Sequence, residues 1–105
     1  MKIRFTARAV RNLSGIADYL NKYNPAAAQR VQSAILDSVG ILSRFPEVGR
    51  LQEMSNVRKL VVRRYPYLIY YRIDVPAEVV VILSIQHPAR NRIALMRDNP
   101  TARSS

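Results

Sequence analysis

The spacing of apolar residues changes twice along this chain, and each change marks a change of element. A short alternating start, Lys2 to Phe5, reads as a strand. Val10, Leu13, Ile16, Ala17 and Leu20 then recur at intervals of three and four, which predicts an amphipathic helix capped by Thr6 and ending near Tyr23. Asn24-Pro25 supplies a second start signal: Asn is a capping residue, and Pro at the first helical position lacks an N–H that would have had no partner there. Ala28, Val31, Ile35, Val39 and Leu42 carry the stripe of this second helix. Phe45-Pro46 ends it, because proline disfavours α geometry at the residue before it.

Beyond Phe45 the helical period is gone. Pro46 to Asn56 mixes Pro, Gly, Ser and Asn with little periodicity and reads as a loop. Val57 to Arg64 is rich in β-branched residues, Tyr65-Pro66 is a turn signal, and Tyr67 to Val75 alternates Tyr67, Ile69, Tyr71 and Ile73 against Leu68, Tyr70 and Arg72. Pro76-Ala77 is a second turn, and Val79 to His87 gives another strand. Strands joined by connections this short run antiparallel, since a parallel return needs a crossover of a dozen or more residues. The two helices are close enough in sequence to pack as an antiparallel hairpin. The expected fold is therefore α+β, in the order β-α-α-β-β-β, with an N-terminal strand and a helical hairpin packed on a small antiparallel sheet. The pattern does not fix the neighbour of the first strand. One domain is expected over residues 1–98, with a C-terminal tail over 99–105.

Composition narrows the chemistry. A chain of 105 residues buries a core without staples. With no Cys and a single His, it offers no thiol nucleophile, no disulfide framework and no thiolate or multi-histidine metal site, so no metal or cofactor is expected. The N-terminal residues lack the apolar run of a secretory signal, and no window approaches the ~20 apolar residues of a membrane span. A soluble, cytoplasmic protein without a membrane partner is the expectation.

Charge changes the picture further. The net charge is +10 at pH 7, divided as +4 over residues 1–53 and +6 over 54–105. Between Met54 and Ile73 there is no Asp or Glu, yet Arg58, Lys59, Arg63, Arg64 and Arg72 fall there. A sheet built from these runs presents a positive face, which points to a polyanion or an acidic protein as partner.

Several short segments, in this order and spacing, resemble the RelE/ParE superfamily of toxins from type II toxin–antitoxin modules, and the ParE branch more closely. They are the Phe5-Thr6 start with its following Ala, Ile16-Ala17-Asp18-Tyr19-Leu20, Asn24-Pro25-Ala26-Ala27-Ala28, and "LSRFPEVGR" from Leu42 to Arg50. Val57-Arg58-Lys59-Leu60, "YPYLIYYRI" from Tyr65 to Ile73, and "VVVILSIQHPARN" from Val79 to Asn91 complete the set. The resemblance runs from about Ile3 to Arg92. It implies a helical hairpin on a small antiparallel sheet, and a partner antitoxin that wraps part of itself around the toxin. It also implies one of two activities: inhibition of DNA gyrase, as in ParE-like members, or cleavage of messenger RNA on the ribosome, as in RelE-like members.

Metal-independent RNA cleavage needs a base for the 2′-hydroxyl, an acid for the leaving oxygen and cations for the phosphorane. His87 could act as acid or base near neutral pH, Arg63, Arg64 and Arg90 could neutralise the transition state, and Glu47 or Glu53 could be the base. The set is incomplete. The carboxylates fall in the loop, and Pro88 follows His87 where an RNase-like relative would carry a further basic or aromatic side chain. The bland alternative for His87 is a strand cap or an interface residue. For Arg58, Arg63, Arg64 and Arg72 the options are phosphate contacts, a solvated sheet edge, or docking of acidic antitoxin segments, the last preferred. Tyr67 and Tyr71 share the face of Ile69 and Ile73 and read as core; Tyr70, beside Arg72, is the surface candidate. Glu47 and Arg50, flanking Gly49, read as fixing the loop against the sheet. The expected contacts with target or antitoxin are thus Arg58, Arg63, Arg64, Tyr70, Arg72 and Arg90. Three functions compete: a ParE-like gyrase inhibitor without chemistry of its own, which is preferred; a RelE-like ribosome-dependent mRNA endonuclease; and a generic basic nucleic-acid-binding domain.

Overall fold

Thr6 and Asn24 start the two helices, as their places in the pattern predict. In the computed structural model, which describes residues 1–88, β1 (Lys2–Phe5) is followed by α1 (Ala7–Tyr23) and α2 (Pro25–Arg44). The Thr6 hydroxyl accepts from the Ala9 N–H at 3.1 Å, and Asn24 Oδ1 accepts from the Ala27 N–H at 3.3 Å. Asn24 also closes α1, since its own N–H donates to the Leu20 carbonyl at 2.6 Å. The boundary of the domain at residue 98 and the tail expected over 99–105 lie outside the described residues.

The strands β2 (Arg50–Leu51), β3 (Arg58–Val61), β4 (Leu68–Asp74) and β5 (Val79–Gln86) complete the order, and the sheet runs β1-β5-β4-β3-β2. β3, β4 and β5 form the antiparallel meander that their short connections require. β1, whose place the sequence pattern left open, pairs parallel with β5, Lys2 opposite Val79 and Phe5 opposite Ile82. The sheet is therefore mixed, with the helical hairpin serving as part of the long crossover.

Two sequence-derived boundaries move. The stretch Pro46 to Asn56, a loop by composition, contains a 3₁₀ turn at Pro46–Val48 and the two-residue strand β2, which pairs with β3. The strand expected over Val57 to Arg64 ends at Val61, because Arg64 adopts a φ of 75°, a left-handed conformation that extended backbone does not admit. The Val62 N–H instead closes the hairpin on the Tyr67 carbonyl at 2.9 Å.

Both helices pack on one sheet face. Ala9 and Ile16 of α1, Val31, Ile35, Val39 and Leu42 of α2, and Ile69, Tyr71, Val80, Ile82 and Ile85 of the sheet belong to one buried cluster. Between β4 and β5 the register shifts once: Tyr70 lies opposite Ser84 and Tyr71 opposite Ile82, leaving Leu83 as an extra residue. That bulge lets Val80, Ile82 and Ile85 all face the core. It also frees backbone groups where β1 has already ended, and α1 satisfies them. The Thr6 hydroxyl donates to the Leu83 carbonyl at 2.9 Å, and Asn12 Oδ1 accepts from the Ile85 N–H at 3.0 Å.

Tyr71 is wholly buried, and its hydroxyl reaches across to the segment after α2. It donates to the Pro46 carbonyl at 2.7 Å and accepts from the Gly49 N–H at 2.8 Å. A Cβ on residue 49 would run into the phenol ring and hydroxyl, so the close approach itself requires glycine. Burial pushes the Tyr71 hydroxyl above its ordinary value, an effect partly offset by the Gly49 hydrogen bond and the nearby Arg58 charge.

Tyr71→Phe strands two backbone groups and is expected to cost about 1–3 kcal/mol. Gly49→Ala should cost a similar amount, about 1–3 kcal/mol, through overpacking. Urea unfolding of both measures this, and an unmoved midpoint in either would overturn the role given to the contact. Because folded Tyr71 holds its proton to higher pH than an unfolded tyrosine, its contribution is intact below about pH 10 and is lost as pH rises through the raised folded value. Alkaline titration of stability should show this component in the native chain and lack it in Tyr71→Phe.

Candidate interaction surfaces

The helices cover one face of the sheet, and among the described residues no helix covers the other. Alternation along the strands decides which side chains lie there. Arg4 pairs with Val81, and Val81 with Arg72. Arg50 pairs with Lys59, Lys59 with Tyr70, and Tyr70 with Ser84. Lys2 shares the face of Arg4, so the uncovered side carries Lys2, Arg4, Arg50, Lys59 and Arg72. Among the described strand residues Asp74 is its one acid by register, and that carboxylate accepts from the Ala77 N–H at 3.2 Å in the β4–β5 turn.

A second basic surface lies on the helical side. The turn between β3 and β4 carries Arg63, Arg64 and Tyr65 toward α2, forming an open groove of about 710 Å³. The α2 wall is built from positions spaced three or four apart, among them Ala26, Arg30, Ser33, Ala34, Asp37 and Ile41. Small side chains at Ala26, Ser33 and Ala34 keep its floor low. Arg30, Arg63 and Arg64 outnumber Asp37, so the groove suits an acidic occupant.

The residues singled out from sequence do not form one site. Arg63 and Arg64 are exposed beside α2, whereas Tyr70 and Arg72 are half-buried on the uncovered sheet face. Arg58 points to the helical side, opposite Tyr71, and its guanidinium donates to the carbonyls of Glu47 at 3.0 Å and Gly49 at 2.8 Å. Its donors thus hold the loop after α2, with Tyr71 holding the same loop from beneath. The fixing of this loop that its sequence suggested comes from Arg58 and Tyr71, not from the side chains of Glu47 and Arg50. His87 follows β5, with its ring edge-on to Tyr67 and centroids 5.2 Å apart. Arg90 lies outside the described residues.

Register also separates the acid–base candidates. The β3–β4 turn with Arg63 and Arg64 is at the same end of the sheet as His87, since Val61, Leu68 and Gln86 are cross-strand neighbours. Glu53 precedes β3, at the opposite end, on the order of 15 Å away at ~3.3 Å per residue. Glu47 is on the 3₁₀ turn against Tyr71. Among the described residues no group of three His, Cys, Asp or Glu could hold a metal ion, and no helix is long and apolar enough to cross a membrane. Sequence reasoning missed Lys2, Arg4 and Arg50 as partners of Arg72, because only strand order unites them. Arg30 was equally hidden, being brought to Arg63 by tertiary packing alone.

What this geometry defines, among the described residues, is a small α+β protein that presents two basic surfaces, one a helical groove and one a sheet face that no described helix covers. The chain belongs to the family described as ParE toxin of type II toxin-antitoxin system, parDE, whose model matches residues 3–92. It is 38% identical over 90 residues to Toxin RelE2 of Caulobacter vibrioides, covering 85% of this chain and 97% of that one. Among solved structures it resembles the chromosomal ParDE TA system from P. aeruginosa, with 26% identity, a TM-score of 0.72, and coverage of 83% of this chain and 95% of that one. It also resembles the toxin–antitoxin complex RelBE2 from Mycobacterium tuberculosis, with 33% identity, a TM-score of 0.57, and coverage of 82% and 95%. The protein is a toxin of a type II toxin–antitoxin system in the ParE/RelE superfamily.

The different settings of the arginines make a direct prediction. Arg58→Ala should lower stability by about 1–2 kcal/mol through the loss of two hydrogen bonds to carbonyls. Arg63→Ala, on the exposed turn, should shift it by less than about 0.5 kcal/mol. Chemical denaturation of the two variants checks this, and equal effects would contradict the assignment.

Proposed function

We propose that this toxin inhibits DNA gyrase in the manner of ParE-like proteins, in the cytoplasm, and that a cognate antitoxin neutralises it. The observation that carries the reading is the separation of His87 from Glu47 and Glu53: among the described residues neither loop carboxylate reaches the end of the sheet where His87 lies, so no carboxylate–histidine acid–base pair forms there. A protein that works by binding needs no such pair. The match to the ParE family over residues 3–92 supports the same reading.

Antitoxin capture is assigned to the groove along α2. An acidic segment that is disordered when free would gain from Arg30, Arg63 and Arg64 there, and its association would weaken with salt. That similarity to solved relatives includes toxin–antitoxin complexes supports a protein partner of this kind.

A RelE-like ribosome-dependent mRNA endonuclease is the second reading. It is favoured by the common location of His87, Arg63 and Arg64 at one end of the sheet, and by the similarity to Toxin RelE2.

Titrating the full-length chain into a gyrase supercoiling reaction separates the two. Antitoxin-reversible inhibition with trapped cleaved DNA is the expected result, and His87→Ala should inhibit as well as the native chain. No inhibition of the host's own gyrase by folded protein, together with loss of toxicity in His87→Ala, would transfer the function to RNA cleavage.

A further inference from the structure

The sheet face that no described helix covers holds a charge arrangement separate from the groove along α2. Lys2 and Arg4 stand on β1, and Arg72 and Lys59 stand on β4 and β3, with β5 between them. At ~4.8 Å per strand, the backbones of the two banks are about 10–14 Å apart, and their long lysine and arginine side chains can splay outward from there to the phosphate rows on either side of the ~12 Å major groove of B-form DNA. Between the banks β5 carries Val81 and Ser84, both buried, and the Gln86 side-chain amide donates to the Ser84 hydroxyl at 3.1 Å. Asp74, the one acid that the described strands place on this face, is bonded into a turn.

We infer that this face docks on duplex DNA of the B form, one bank of cations on each of the two phosphate backbones that flank a major groove. The contacts are to phosphates, so binding is independent of base sequence. Arg50, on the edge strand beyond Lys59, extends the second bank. A-form RNA presents a deep and narrow major groove that does not match this spacing. The inference goes beyond the gyrase reading and does not rest on it, because the isolated chain would hold DNA without any enzyme present. Where gyrase is the target, the toxin would then grip the nucleic acid of the enzyme–DNA complex as well as the protein.

The experiment is fluorescence anisotropy of a short blunt DNA duplex titrated with the full-length chain over a salt series. Five phosphate contacts predict a loss of affinity of roughly 500-fold between about 50 and about 200 mM salt. Removing two of them in Arg4→Ala/Arg72→Ala should weaken binding and reduce that loss to roughly 40-fold. Lys2→Ala/Lys59→Ala should do the same, which guards against a folding defect in either pair, and circular dichroism of each variant verifies the fold. Arg8→Ala/Arg11→Ala removes the same charge from α1 and should leave the salt dependence unaltered. Absence of binding at the lowest salt would overturn the inference. So would an equal effect of the α1 pair, or equally tight binding of an RNA duplex or a single strand. Inhibition of gyrase is measured separately, so either proposal can fail while the other stands.

Discussion

A phenol hydroxyl in the middle of a sheet must find partners inside the protein, and Tyr71 finds them in the backbone after α2. The hydroxyl uses both its capacities, donating to Pro46 and accepting from Gly49. This contact draws the chain down onto the sheet just where it leaves the helical layer. Arg58, one strand over, then donates to two carbonyls of the same stretch. The 3₁₀ turn, the edge strand β2 and the start of β3 all follow from that double attachment. Without it the sheet would lose the strand that carries Arg50, and Glu47 would not be held away from the far end of β5.

The same economy governs the other edge. β1 covers only the first half of β5, and the bulge at Leu83 leaves carbonyl and amide groups that would otherwise face apolar side chains. Thr6 and Asn12 meet them from α1. Thr6 is at once a helix cap, a strand terminator and a bulge partner. The β5 edge of the sheet is thereby closed by polar groups from the start of α1 and the loop edge by Tyr71 and Arg58, and clusters of charge are left on the opposite face and in the groove beside α2. A basic protein has been sorted into surfaces with different shapes, one concave and peptide-sized, the other broad and shallow.

Much of this was legible in the sequence. Periodicities of three to four placed both helices, and the caps at Thr6 and Asn24 set their starts, because these signals are local. The alternation in Tyr67 to Val75 correctly separated Tyr71 from Tyr70 for the same reason. Strand order was not legible, since the parallel pairing of β1 with β5 depends on contacts nearly eighty residues apart. The surfaces suffered most from this. Lys2, Arg4 and Arg72 share a face only once the strands are ordered, and Arg30 meets Arg63 and Arg64 only once α2 lies against the β3–β4 turn. Arg58 illustrates the converse: it has the same charge, strand and half-buried setting as Lys59, yet one side of the sheet bonds it to the loop after α2 and the other turns its neighbour to the face away from the helices.

Asn24 has a mechanical consequence. One residue joins helices of seventeen and twenty residues, and it is hydrogen-bonded into both. Such a joint leaves little slack: neither helix can slide or lengthen far without displacing its neighbour, so a load on α2 is passed to α1. Because α1 is in turn bonded to the bulge of β5, a partner seated along α2 pulls on β5, the strand between β1 and β4, through that linkage. The helical layer behaves as a lever with its fulcrum at a single asparagine.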